Sequence, residues 1–244
     1  VRPLRYDLTL IPNVTAATFR GEESVDVELL EPTTTIVLNC SEIEIAACRL
    51  DLSDGSQHEP VETVMDETGE SVTFRFDTAL APGAATLHLE FTGLLNDKLR
   101  GFYRSTYTDQ DGNERHLATT QFEATDARRA FPCWDEPALK AVFKVALLVP
   151  EGLTAVSNMR VTRESPAGDG MKRVEFGETP LMSTYLLAFV IGDLKSIERR
   201  APDGTLVRVW ATAGKEEQGR FALETSVKLL RFFNDYFGPP HPLP

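Results

Sequence analysis

An amide and a carboxylate two residues apart, Gln121 and Glu123, are the pair whose types and spacing suit ligand chemistry. They flank Phe122 in the run Thr119-Thr120-Gln121-Phe122-Glu123-Ala124-Thr125. In an extended strand, residues two apart point to the same side. The amide and the carboxylate then share one face, and Phe122 takes the other. Such a pair suits a cation, because the carboxylate neutralises the charge and the amide carbonyl accepts a further hydrogen bond. A plainer role is also open, in which Glu123 pairs with Arg128 or Arg129 in a structural network. Ion pairs are commoner than amine sites, so spacing alone favours the plainer role.

Other chemistry is sparse. The histidines are His58, His88, His116 and His241, and no two have the i, i+4 spacing of a zinc-binding His-Glu-x-x-His helix. His58-Glu59 opens such a pattern, but Glu62 stands where the second histidine belongs, and Pro60 interrupts. His58 reads as a surface loop residue, His88 as an ordinary strand residue and His116 as solvated. Neither a Gly-x-Ser-x-Gly elbow nor a phosphate-binding glycine loop occurs. Cys133 lies beside Trp134 and Asp135, but no histidine is placed to activate it, and Phe131-Pro132 suggests packing. Cys40, Cys48 and Cys133 show no C-x-x-C spacing and read as small, partly buried hydrophobes, which fits a reducing compartment. The sequence therefore offers no metal site and no complete catalytic set of its own.

The elements that must position Gln121 and Glu123 are mostly strands. Arg5–Leu10, Ser24–Leu29 and Ser71–Phe76 alternate polar and apolar residues, the period of a strand with one wet face. Val142–Val149 and Tyr185–Ile191 are more continuously apolar and read as central strands. Asp-Gly pairs at 54–55, 111–112, 169–170 and 203–204 suit the positive φ of tight hairpins. Short strands and turns at this density predict antiparallel sheets folded into a sandwich or saddle. The period changes near residue 214. From Lys215 to Phe237, the residues Leu223, Val227, Leu230, Phe233 and Phe237 form one face of an amphipathic helix. Glu216 and Glu217 are expected in its first turn, and Gly238-Pro239 ends it. The expected division is a β domain over 1–200 and the opening strand and helix of a second domain over 201–244. The Pro-rich exit reads as a boundary inside a longer chain.

Composition narrows the partners. Apolar residues form 42% of 244, enough for a sizeable core. Twenty-five basic side chains against 37 acidic ones leave a net charge of −12, which disfavours nucleic acid. The most apolar stretch, Leu181–Ile191, is too short to span a membrane, and Val1-Arg2-Pro3-Leu4 lacks a signal-peptide core. A cytoplasmic location is the resulting expectation.

The segment Thr120–Pro137, reading TQFEATDARRAFPCWDEP, resembles the signature of the aminopeptidase N family. Leu4-Arg5-Tyr6-Asp7-Leu8, Leu99–Ser105, Lys140–Phe143, Tyr185–Asp193 and Tyr236-Phe237-Gly238 match in order, so the resemblance covers nearly the whole chain. It implies a mainly β, saddle-shaped antiparallel domain leading into an incomplete thermolysin-like catalytic domain. It implies that Glu123 binds the α-amine of a peptide with a free amino terminus and that Gln121 lines the first side-chain pocket. It further implies a zinc aminopeptidase whose two His and one Glu ligands, and whose Gly-x-Met-Glu-Asn motif, lie beyond Pro244. The catalytic and C-terminal domains would be partners in the same chain, and residues 1–244 alone are expected to be inactive and zinc-free. A free α-amine has a pKa of about 8 and is mostly protonated at neutral pH, which suits a carboxylate partner. The resemblance also implies a cis peptide at Glu123-Ala124. Asp135 is read as the cap of a turn starting at Glu136-Pro137. The competing functions are a non-catalytic scaffold of the same fold and, last, a relative acting on lipid epoxides.

Overall fold

Period-two patterning becomes strand along most of the chain. A computed structural model describes residues 1–243; Pro244 lies outside them. The first half contains β1 (Arg2–Asn13), β2 (Thr18–Leu29), β3 (Thr33–Asn39), β4 (Ile43–Leu52), β5 (Gln57–His58), β6 (Glu62–Asp66), β7 (Ser71–Leu80), β8 (Gly83–Leu94), β9 (Gly101–Thr108) and β10 (Glu114–Gln121). The second half contains β11 (Val142–Pro150), β12 (Thr154–Ser157), β13 (Val161–Gly168), β14 (Met171–Phe176), β15 (Phe189–Gly192), β16 (Leu194–Arg200), β17 (Leu206–Thr212) and helix α1 (Arg220–Phe237). All four Asp-Gly pairs fall in turns between antiparallel neighbours: β4–β5, β9–β10, β13–β14 and β16–β17.

The largest sheet has the order β13-β14-β11-β1-β2-β8-β4-β5. Tyr6, Leu8 and Leu10 of β1 and Val25, Val27 and Leu29 of β2 are buried, while Asp7, Thr9, Ser24 and Asp26 between them are only half-covered. A three-stranded sheet, β3-β7-β6, and a four-stranded sheet, β12-β15-β10-β9, complete a single core with it. The expectation of antiparallel sheets holds with one exception. β1 pairs β11 in parallel, from Arg5↔Val142 to Leu10↔Leu147. The long connection between them, which carries the signature segment, makes that crossover possible.

Aromatic rings link the layers beneath the site. Tyr6 stacks on Phe143 at 4.9 Å, and Phe131 meets Tyr6 edge-on at 5.9 Å. Phe122 touches Phe131 and Phe189, and Phe189 meets Phe102 at 5.0 Å. Burying each such ring contributes about 1.5–3 kcal/mol. Phe122, 2% exposed, is therefore an anchor for the residues on either side of it.

Two sequence expectations are corrected. Tyr185–Ile191 is not one strand: Thr184–Leu186 is a 3₁₀ turn, and only Phe189–Gly192 is strand. Side chains hold that turn, with Thr184 Oγ1 donating to Asp135 at 2.6 Å and Ser183 Oγ donating to the Pro137 carbonyl at 2.7 Å. The helix begins at Arg220, because Glu216–Gly219 form a 3₁₀ turn, so Glu216 and Glu217 precede its first turn. The residue 200/201 division falls at the end of the β16 half of a hairpin on which α1 packs through buried Leu223.

Candidate functional site

Gln121 is the last residue of β10 and pairs with Gly101 of β9. It and Glu123 are exposed, with Phe122 buried between them, as the period-two reading requires. Gln121 Nε2 donates to the Glu123 carbonyl at 3.5 Å, and the Glu123-Ala124 peptide is cis. Glu123, Ala124 and Thr125 form an exposed strap. The strap closes where the Asp126 amide donates to the Phe122 carbonyl at 2.9 Å.

The arginines that sequence alone could have paired with Glu123 are occupied elsewhere. Arg128 Nε donates to Asp135 at 3.1 Å, and its terminal nitrogen lies 3.3 Å from Glu70. Arg129, 8% exposed, bonds Asp126 Oδ1 at 2.8 Å, Ser41 Oγ at 2.9 Å and Glu42 Oε1 at 2.8 Å, and also pairs with Glu70. Burial works against the Arg129 charge, but Asp126, Glu42 and Glu70 outweigh it and hold its pKa above the usual value. Among the described residues, the Glu123 carboxylate has no salt bridge. The structural-network role for Glu123 is thus not what the geometry shows.

The rest of the signature fixes this arrangement to the core. Asn39 and Cys133 exchange backbone bonds at 2.7 and 3.0 Å, and the Ser41 amide donates to the Arg128 carbonyl at 3.0 Å. Asp135 does not cap the turn after it. Its carboxylate, 2% exposed, faces inward to Arg128 and Thr184, because an unpaired guanidinium there would cost more than an uncapped turn.

Cys133 is fully buried, and burial pushes its thiol pKa well up, the opposite of an activated nucleophile. Cys40 is likewise buried, and Cys48 is half-buried; burial raises both thiols to about 12. Among the described residues, no three His, Cys, Asp or Glu side chains are grouped to hold a metal ion. A zinc ion therefore does not fit the residues present.

Two features escaped the sequence reading. His88 Nδ1 lies 2.8 Å from Ser24 Oγ and its Nε2 3.2 Å from Asp51 Oδ2, a contact set formed by cross-strand register. Ser24 sits mid-strand between two ladders that engage the neighbouring backbone amides, so those amides do not form an oxyanion hole beside it. The second feature is Glu23. It is 3% exposed, and both its carboxylate oxygens lack a hydrogen-bond partner. Burial raises its pKa well above the usual range. Its parity with Val25, Val27 and Leu29 was a readable signal, since period two places all four on one face.

The site is a single wall. A groove of about 1240 Å³ is lined by residues that include Ile43, Met65, Glu70, Arg100 and Arg129, but not Gln121 or Glu123.

Residues 2–186 match the Peptidase M1 N-terminal domain family. Aminopeptidase M1-B of Oryza sativa subsp. japonica is 48% identical over 99% of this chain, and Aminopeptidase M1 of Arabidopsis thaliana is 43% identical over 99%. The chain spans 27% and 28% of the lengths of those two relatives. Aminopeptidase N of Acetobacter pasteurianus is 40% identical over the whole chain, which covers 67% of its length. With the family matched across most of its length, this chain belongs to the peptidase M1 N-terminal domain family.

Proposed function

We propose that this chain is the substrate-anchoring N-terminal part of a zinc metalloaminopeptidase that removes amino-terminal residues from peptides. The observation that carries the reading is the free carboxylate of Glu123: it is exposed and unpaired, while both neighbouring guanidiniums are saturated by other acids. A peptide's α-ammonium is the natural partner for such a group, and a charge-assisted hydrogen bond contributes roughly 1.5–3 kcal/mol. Gln121, on the same face, flanks the first side chain and can bond the amine through its carbonyl. Fixing the ammonium fixes the distance to the first peptide bond, so this wall sets where a polypeptide is cut.

In this reading, residues 1–200 form the β domain and 201–244 open a catalytic domain. That domain supplies the zinc ligands and the facing wall, and residues 1–244 alone have no activity. The test is Glu123→Ala in the polypeptide that contains this chain and its catalytic domain. The expected result is a loss in kcat/KM on peptides with a free amino terminus of about 10- to 100-fold, with zinc content unchanged. Unchanged kinetics would reject the role of Glu123.

A further inference from the structure

Between Phe122 and Asp126, the chain is fastened to the core at its two ends and exposed in its middle. The first is Phe122, held among Phe131 and Phe189 with centroids 6.1 and 6.0 Å away. The second is Asp126, whose amide closes onto the Phe122 carbonyl at 2.9 Å and whose Oδ1 accepts from Arg129 Nε at 2.8 Å. Glu123, Ala124 and Thr125 between them are exposed.

Arg129 is itself bonded at all three guanidinium nitrogens. Ser41 and Glu42 come from the β3–β4 turn, Glu70 comes from the β6–β7 turn, and all three grip its terminal nitrogens. The β3–β4 connection and the β6–β7 hairpin turn therefore supply a post, and Asp126 attaches the strap to it. Gly101, the pairing partner of Gln121, lets the post approach closely, since a Cβ there would lie 2.7 Å from the Arg129 Cβ.

We infer that the Asp126–Arg129 pair is a positioning device for Glu123, setting where its carboxylate stands without touching substrate. This rests on the amine-anchor reading of Glu123. The device acts on a free carboxylate's position, so its loss weakens capture of the amine more than it weakens the fold. The side chain of Asp126 is 22% exposed, and Arg129 keeps Glu42, Glu70 and Ser41 when Asp126 is truncated. Asp126→Ala thus removes the attachment and leaves the post.

Two measurements test it. In the 244-residue chain, Asp126→Ala is expected to speed hydrogen exchange of the residue-126 amide about tenfold or more, with Leu8 and Val25 unchanged. Asp126→Asn, whose amide oxygen still accepts from Arg129, restores most of the protection. Unchanged exchange at residue 126 overturns the attachment, whatever the enzymology shows. In the polypeptide with its catalytic domain, Asp126→Ala is expected to raise KM about five- to thirtyfold with a smaller effect on kcat. The same change made on top of Glu123→Ala is expected to add nothing, because the two act as one unit. An equal loss in both backgrounds overturns positioning and leaves a purely structural role. If Glu123→Ala is itself silent, the amine reading fails and the positioning claim falls with it. In that case the exchange result still tells whether the strap is fastened to Arg129.

Discussion

Glu123 and Glu23 are two glutamates without an ion pair, and their surroundings make them opposite kinds of group. Glu123 stands on an exposed strap at the end of β10, with its side chain open to water. Glu23 lies on the inner face of β2, with both oxygens sealed and unpartnered. The titratable groups around it are Tyr6, Cys40 and Cys133, all acids whose own pKa values burial raises. Among the described residues no cation is paired with this carboxylate, and burial holds its pKa well above the usual range. A carboxylate is ready for binding when it is unpaired and wet. When unpaired and dry, its charged form is disfavoured, and it is a weak point in the fold.

The largest expected effect tests the dry side. An ordinary glutamate has a pKa of about 4.3 in the unfolded chain. Below that pH, Glu23 is neutral in both states and imposes no penalty. Above it, the unfolded chain releases the proton and the folded one keeps it, so stability falls by about 1.4 kcal/mol per pH unit until the raised folded pKa is reached. Glu23→Leu removes that dependence and replaces an unsatisfied polar group with an apolar one of similar volume. Denaturant unfolding at pH 5 and pH 8 is expected to show the natural chain weakening across the interval. The variant should hold steadier and be the more stable of the two at pH 8. If the natural chain shows no such decline, a buried partner is compensating the charge, and the contrast with Glu123 dissolves.

The next effect tests how firmly the wet side is held. Gly101 has φ +65°, and an added Cβ would meet the Arg129 Cβ at 2.7 Å; Gly112 has φ +82° with nothing within 4 Å. Gly101→Ala and Gly112→Ala share the cost of a left-handed backbone, roughly 1 kcal/mol or a little more. Only Gly101→Ala adds a collision with the post beneath the strap. It is expected to lower stability by about 1–3 kcal/mol more than Gly112→Ala, a range typical of overpacking. Equal losses in melting experiments would show that Arg129 can shift, and that the strap's position is softer than its network suggests.

The sequence made the wet side legible and the dry side only half so. Gln121, Phe122 and Glu123 alternate as a strand must, and their exposure follows that alternation. The four Asp-Gly turns were likewise readable, because positive φ is a local demand. The partners of Arg128 and Arg129 were not. Glu70 lies 58 and 59 positions away from them, and only the packing of the β6–β7 turn against the signature brings it near. Tyr185–Leu187 failed as a strand for a similar reason, since Asp135, 49 positions earlier, draws Thr184 into a turn. Glu23 was readable by parity, but a strand drawn from Ser24 stops one residue short of it.

The smallest effect concerns Asp109, which is half-covered where Glu123 is exposed, and fully partnered. In the β9–β10 turn, its carboxylate accepts from Arg115 Nε at 2.8 Å and from the amides of Asn113 at 2.8 Å and Asp111 at 3.0 Å. The Arg115 hydrogen bond first, and then the Asn113 amide, lower its pKa to about 2. Because the folded value is depressed, its contribution is present above the unfolded pKa of about 3.9 and disappears as pH falls through about 2. Asp109→Asn removes the charge and keeps one acceptor oxygen. NMR titration is expected to show the turn amides of residues 111 and 113 losing their bonded shifts between about pH 4 and pH 2 in the natural chain, with no such step in the variant. The same titration gives a sharper rule for the site. Asp109 is charged and partly open to water, yet its bonding capacity is used by its own hairpin, so it has nothing to offer a ligand. A titration step in the variant matching that of the natural chain would mean another group drives it. Exposure without internal partners would then no longer separate Glu123 from the other surface acids.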